Sequence, residues 1–135
     1  MYKYLTFLML VLSTSAISST YIPLPSDNDL HKLIVGTWVV DPKDEHANAG
    51  IGTYKSNGTL LFNAYQTSKC IKLRFQAFAN WRVKNRKLYT KVITVNGKPS
   101  KISIEDEIIS VSSEKMILKA DSGLLQYRIK SGNCI

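Results

Sequence analysis

Between Ile71 and Val83 apolar residues occupy every second position: Ile71, Leu73, Phe75, Ala77, Ala79, Trp81 and Val83. Between and after them stand Lys72, Arg74, Gln76, Phe78, Asn80, Arg82 and Lys84. A period of two puts the first set on one face of an extended strand, whereas a helix would scatter it around its circumference. A strand over 71–84 is long for an open sheet and ordinary for one that wraps obliquely around a barrel. The paired small residues Ala77 and Ala79 mark a bend or the roomiest stretch of an interior; the plainer account is a fit against bulky neighbours.

The chain on either side has the same texture, with short β-rich runs separated by turn signals. Eight strands are predicted, at 34–40, 50–55, 59–65, 71–84, 87–95, 102–111, 116–120 and 124–130. Asn57-Gly58, Asn85-Arg86, Asn96-Gly97 followed by Pro99, and Asp121-Ser122-Gly123 are hairpin-length links. Links this short force neighbours to pair antiparallel. The expected fold class is therefore all-β, an eight-stranded antiparallel up-and-down barrel over residues 34–135. Residues 19–33, with Pro23 and Pro25, form a lead-in, which Ser26 or Asp27 can cap into a short helical turn through Leu33.

The first eighteen residues have the pattern of an export signal: Lys3, an apolar run over 5–12, then small and polar residues over 13–19. The run is well short of the roughly 20 residues a membrane-spanning helix needs, so cleavage after Ala16 or Ser18 is expected, and no transmembrane segment in the mature chain. No cysteine lies at that junction to carry a lipid. The expected compartment is periplasmic or extracellular. Cys70 and Cys134 are the two cysteines, and an even count in an exported chain points to a disulfide; two buried free thiols are the alternative.

At the start of the first strand stand Gly36, Thr37 and Trp38, preceded by the candidate helical turn and followed by the eight-strand pattern. This resembles the Gly-x-Trp opening strand of lipocalin-like, calycin-type barrels, and in its brevity the short bacterial members. The resemblance implies structural roles for Gly36 and Trp38, and an arginine of the last strand, here Arg128, packed over Trp38. It also implies a disulfide tying a middle strand to the C-terminal tail, which Cys70 and Cys134 match. Two family features have no counterpart: Ser112-Ser113-Glu114-Lys115 replaces the Thr-Asp-Tyr loop, and too few residues follow the last strand for a C-terminal helix.

Catalysis needs a nucleophile, a base and an orienting group together, and no such set is evident. The two histidines are His31, in the lead-in, and His46, in the charged segment 41–46. That segment is more simply a solvated loop than a metal site, since its spacing fits no common ligand motif. No catalytic residue, metal or cofactor is expected. Asn57-Gly58-Thr59 satisfies the glycosylation sequon, although a hairpin turn accounts for it.

Two features remain. The interior residues Phe62, Phe75, Ala77, Ala79, Trp81 and Tyr127 are the candidate wall of a pocket for a small apolar or amphipathic ligand. The net charge is +8, and Lys72, Arg74, Arg82 and Lys84 share a strand face with Phe78. That face suits a protein or anionic-surface partner; the plainer reading is the solvated outside of the barrel. Nucleic acid is a poor partner for an exported chain. The expected function is thus a non-enzymatic binding protein. The alternative is a protein-binding inhibitor or immunity factor acting outside the cytoplasm.

Overall fold

Turn chemistry orders the strands in the computed structural model, which describes residues 25–44 and 49–135. Asn85 and Arg86 both take positive φ, as do Asn96 and Gly97, so each pair makes a tight two-residue reversal. At Gly58 and Gly123 the device differs from the expected Asn-Gly turn. A turn closed by Gly58 N–H to the Lys55 carbonyl is followed by one left-handed glycine, with Asn57 itself at ordinary φ. Gly123 repeats this, its N–H donating to the Ala120 carbonyl.

The resulting strands are β1 (Gly36–Val40), β2 (Gly50–Tyr54), β3 (Thr59–Tyr65), β4 (Leu73–Lys84), β5 (Lys87–Val95), β6 (Lys98–Pro99), β7 (Ser103–Val111), β8 (Lys115–Lys119) and β9 (Leu125–Lys130). β6 is a two-residue appendage paired with the end of β5. The other eight run β4-β3-β2-β1-β9-β8-β7-β5 and close through β4–β5, a complete antiparallel ring. Register shifts at Ala64/Tyr65, Phe78/Ala79 and Ile108/Ser110 are β-bulges, which bend strands enough for closure.

Alternation on β4 holds from Phe75 to Lys84: Ala77, Ala79 and Trp81 are buried, while Arg74, Phe78, Asn80, Arg82 and Lys84 are exposed. It fails at the strand's start. Cys70 and Lys72 take positive φ, which breaks the extended chain and leaves Ile71 and Leu73 facing solvent. Cys70 and Cys134 meet at disulfide distance, with Cα atoms 5.8 Å apart.

The lead-in forms α1 (Asp27–Ile34), longer than the single turn expected, and it takes Ile34 from the first strand. Ser26 is its N-cap, its hydroxyl accepting from Asp29 N–H at 3.1 Å. The helix plugs one end of the barrel: Leu30 and Ile34 pack against Trp38, Trp81, Leu88, Ile108 and Met116. The Asp27 carboxylate accepts from the backbone N–H groups of Asn85 and Arg86 at 2.8 and 3.0 Å, locking the plug to the β4–β5 turn.

At the plugged end the Gly-x-Trp residues have a clear task. Trp38 Nε1 donates to the Ile34 carbonyl at 2.7 Å, and Lys130 Nζ donates to the Leu33 carbonyl at 3.1 Å, satisfying carbonyls of the last helical turn. Lys130 Nζ also lies 5.1 Å from the Trp38 ring centroid, so the cation over the tryptophan is Lys130, where the resemblance implied Arg128. Gly36, at φ +134°, gives Lys130 room: a Cβ there would stand 2.7 Å from Lys130 Cε.

Candidate functional site

The barrel interior divides lengthwise. Toward α1 it is filled; away from it, Phe75, Ala77 and Ala79 of β4 and Thr90, Val92 and Val95 of β5 border a cavity of about 410 Å³. Phe62 of β3 completes this wall, its ring centroid 6.2 Å from that of Phe75. Gly50 makes its placement feasible, since a Cβ there would stand 2.4 Å from Phe62 Cζ. Ile102 and Ile104 line the same cavity yet are 55% and 42% exposed, an apolar rim open to solvent.

Besides Thr90, four polar side chains enter the wall: Tyr54 from β2, Asp106 from β7, and Gln126 and Arg128 from β9. Asp106 is only 6% exposed. Gln126 Nε2 donates to Asp106 Oδ1 at 3.2 Å, and Gln126 Oε1 accepts from Arg128 Nη2 at 2.8 Å. A neutral amide thus stands between carboxylate and guanidinium, and Arg128 Nη1 donates to the Tyr127 carbonyl at 3.1 Å. Burial holds the Asp106 carboxyl above its ordinary value; the Gln126 hydrogen bond and the Arg128 charge pull it back, and Asp121 adds to the rise. Burial also raises the Tyr54 phenol, against the pull of Arg128 and with a smaller push from Asp106.

Of the six pocket residues expected from sequence, Phe62, Phe75, Ala77 and Ala79 line the cavity. Trp81 is buried in the filled half, where its ring stacks on His31 at 4.4 Å and its Nε1 donates to the Lys55 and Thr59 carbonyls. Tyr127 lies on the outer face, 39% exposed, because β9 turns Gln126 and Arg128 inward. Asp106, Gln126 and Tyr54 were missed. The signal for Asp106 was present: it shares parity with Ile102, Ile104 and Ile108, an acid on an apolar face.

On the outer face of β4, Arg74, Phe78, Arg82 and Lys84 are exposed, Phe78 by 50%, while Lys72 lies before the strand. The Arg82 guanidinium sits 5.2 Å from the Tyr89 ring centroid. Asp44, expected in a solvated loop, is buried and accepts from Tyr127 N–H at 3.1 Å. His46 and residues 1–24, which include the expected export signal, lie outside the described residues. Among the described residues no His, Cys, Asp and Glu group is placed to hold a metal ion, and no helix is long and apolar enough to cross a membrane.

Fold and site together define a small closed antiparallel β-barrel, plugged by a helix at one end, with an internal cavity of apolar walls and one polar patch. Compared with protein-family models, with curated proteins and with solved structures, the chain matches none.

Proposed function

We propose that the chain is an exported, non-enzymatic binding protein, a lipocalin-like barrel of calycin type that holds a small amphipathic molecule. The observation that carries this reading is the cavity: about 410 Å³, within the range of small-molecule sites, with Phe62, Phe75, Val92 and Leu118 around it and Asp106, Gln126 and Arg128 gathered in its wall. Apolar walls supply affinity and a few convergent polar groups supply orientation. Export rests on Lys3, the apolar run and the small residues up to Ser18, and a disulfide between Cys70 and Cys134 fits a periplasmic or extracellular destination.

Native mass spectrometry of protein isolated gently from the exported fraction tests both. A reproducible small-molecule adduct on a chain beginning near residue 17 or 19 is expected. A chain recovered with its first eighteen residues intact, or free of any adduct and unable to bind apolar dyes, overturns the reading. The half-exposed Phe78 among Arg74, Arg82 and Lys84 favours a second reading, an inhibitor or immunity factor that docks a protein or an anionic surface on β4. A co-purifying protein lost on Phe78→Ser would bring it forward.

A further inference from the structure

The geometry points to the chemical class of the ligand's head: an uncharged group that both donates and accepts hydrogen bonds, as a primary amide does, seated between Asp106 and Arg128. This rests on the cavity reading above. Gln126 already shows what such a head would do, since its own amide donates to Asp106 Oδ1 and accepts from Arg128 Nη2. A carboxylate has about four lone-pair sites and a guanidinium five N–H donors, so one bond from Gln126 does not saturate the first, nor two bonds the second. Both side chains line the cavity. A neutral bifunctional head can use the two at once.

A charged head cannot. An anion drawn to Arg128 meets the Asp106 carboxylate across a single amide, and a cation drawn to Asp106 meets Arg128; like charges close together in a desolvated wall are a strong term against the wrong ligand. The groups facing Asp106 are Tyr54 from β2, Gln126 and Arg128 from β9, apolar Leu88 and Leu118 from β5 and β8, and Asp121 in the β8–β9 turn. Acidification that protonates Asp106 leaves Arg128 as the charge of the patch and relaxes the discrimination against anions.

The test is displacement of N-phenyl-1-naphthylamine from the full mature chain by decanamide and by decane-1-sulfonate, both below micellar concentrations. At pH 8 decanamide is expected to displace the dye at least about tenfold more effectively than the sulfonate, and the gap to narrow at pH 4. In Asp106→Asn the sulfonate should gain about tenfold at pH 8 and lose its pH dependence, which separates Asp106 from the histidines. Should that variant not fold, the wild-type comparison at the two pH values decides alone. Dye binding with equal displacement, or with the sulfonate preferred at pH 8, overturns the head-group assignment and leaves the cavity reading standing. Failure of the wild type to bind the dye or either competitor overturns both.

Discussion

Lys130 and Arg128 are two positions apart on β9, and that spacing decides what each does. Lys130 sits over Trp38 and ties β9 to the helix end; Arg128 belongs to the cavity. Lys130→Met should therefore lower stability by about 1 kcal/mol, from a lost hydrogen bond and a lost cation over the indole, read as a lower denaturation midpoint with altered near-ultraviolet dichroism. Arg128→Met should leave that Trp38 signal unchanged. An identical Trp38 response to both would mean that the two lysine contacts carry no energy. Asp106 makes a prediction in pH. Its folded pKa lies above the ordinary 3.8, so the folded chain binds the proton more readily than the unfolded one. Stability then falls as pH rises from about 3.8 through the folded pKa and levels above it, the slope between the two reaching at most about 1.4 kcal/mol for each pH step of one. Urea denaturation from pH 4 to 8 should show that decline in the wild type, and Asp106→Asn should flatten it and be the more stable at pH 8.

Among the elements, β4 was legible and β9 was not, for a physical reason. On β4 one parity is apolar and the other polar, so only one arrangement keeps Arg74, Arg82 and Lys84 in water. On β9, Leu125, Tyr127 and Ile129 alternate with Gln126, Arg128 and Lys130, which predicts the aromatic inward. The barrel reverses it because the polar set has interior partners on other elements, Asp106 on β7 and the helix-end carbonyl of Leu33, none adjacent in sequence. Single-strand periodicity is blind to such partners. The same limit explains the lead-in: Ile34 has β-branched character suited to a strand, yet burial beneath Trp38 makes it the last residue of α1. Two substitutions probe these elements. Gly36→Ala meets both a positive φ and Lys130, and a loss of about 1 to 3 kcal/mol is expected in thermal or urea denaturation. Ala79→Leu projects into the cavity and should lower stability by less than about 1 kcal/mol while weakening dye binding, whereas a packed interior would lose about 1 to 3 kcal/mol.

For the whole molecule, closure and cross-link act on the same problem. A chain of 135 residues with a hollow in its core has little excess burial, and a bond between Cys70 and Cys134 spans 64 positions. Chain entropy puts the effect of removing such a link at about 4 kcal/mol, so the double Cys70→Ser, Cys134→Ser variant should unfold at markedly lower urea than the oxidised wild type. Non-reducing peptide maps should recover the two cysteines as one linked pair; free thiols in secreted protein would count against it. The ring has a further consequence, in time rather than in energy. Leaving the appendage β6 aside, every barrel pairing but one joins strands that follow each other along the chain, and these can form by successive hairpins in microseconds. The exception is β1 with β9, matched at only three positions, Trp38 with Lys130, Val39 with Ile129 and Val40 with Arg128. Until those meet, β1 and β9 each present a bare row of backbone groups to any passing strand. The short seam is thus where rate and fate divide: mutations there should slow productive folding and raise intermolecular pairing, even when the finished barrel tolerates them.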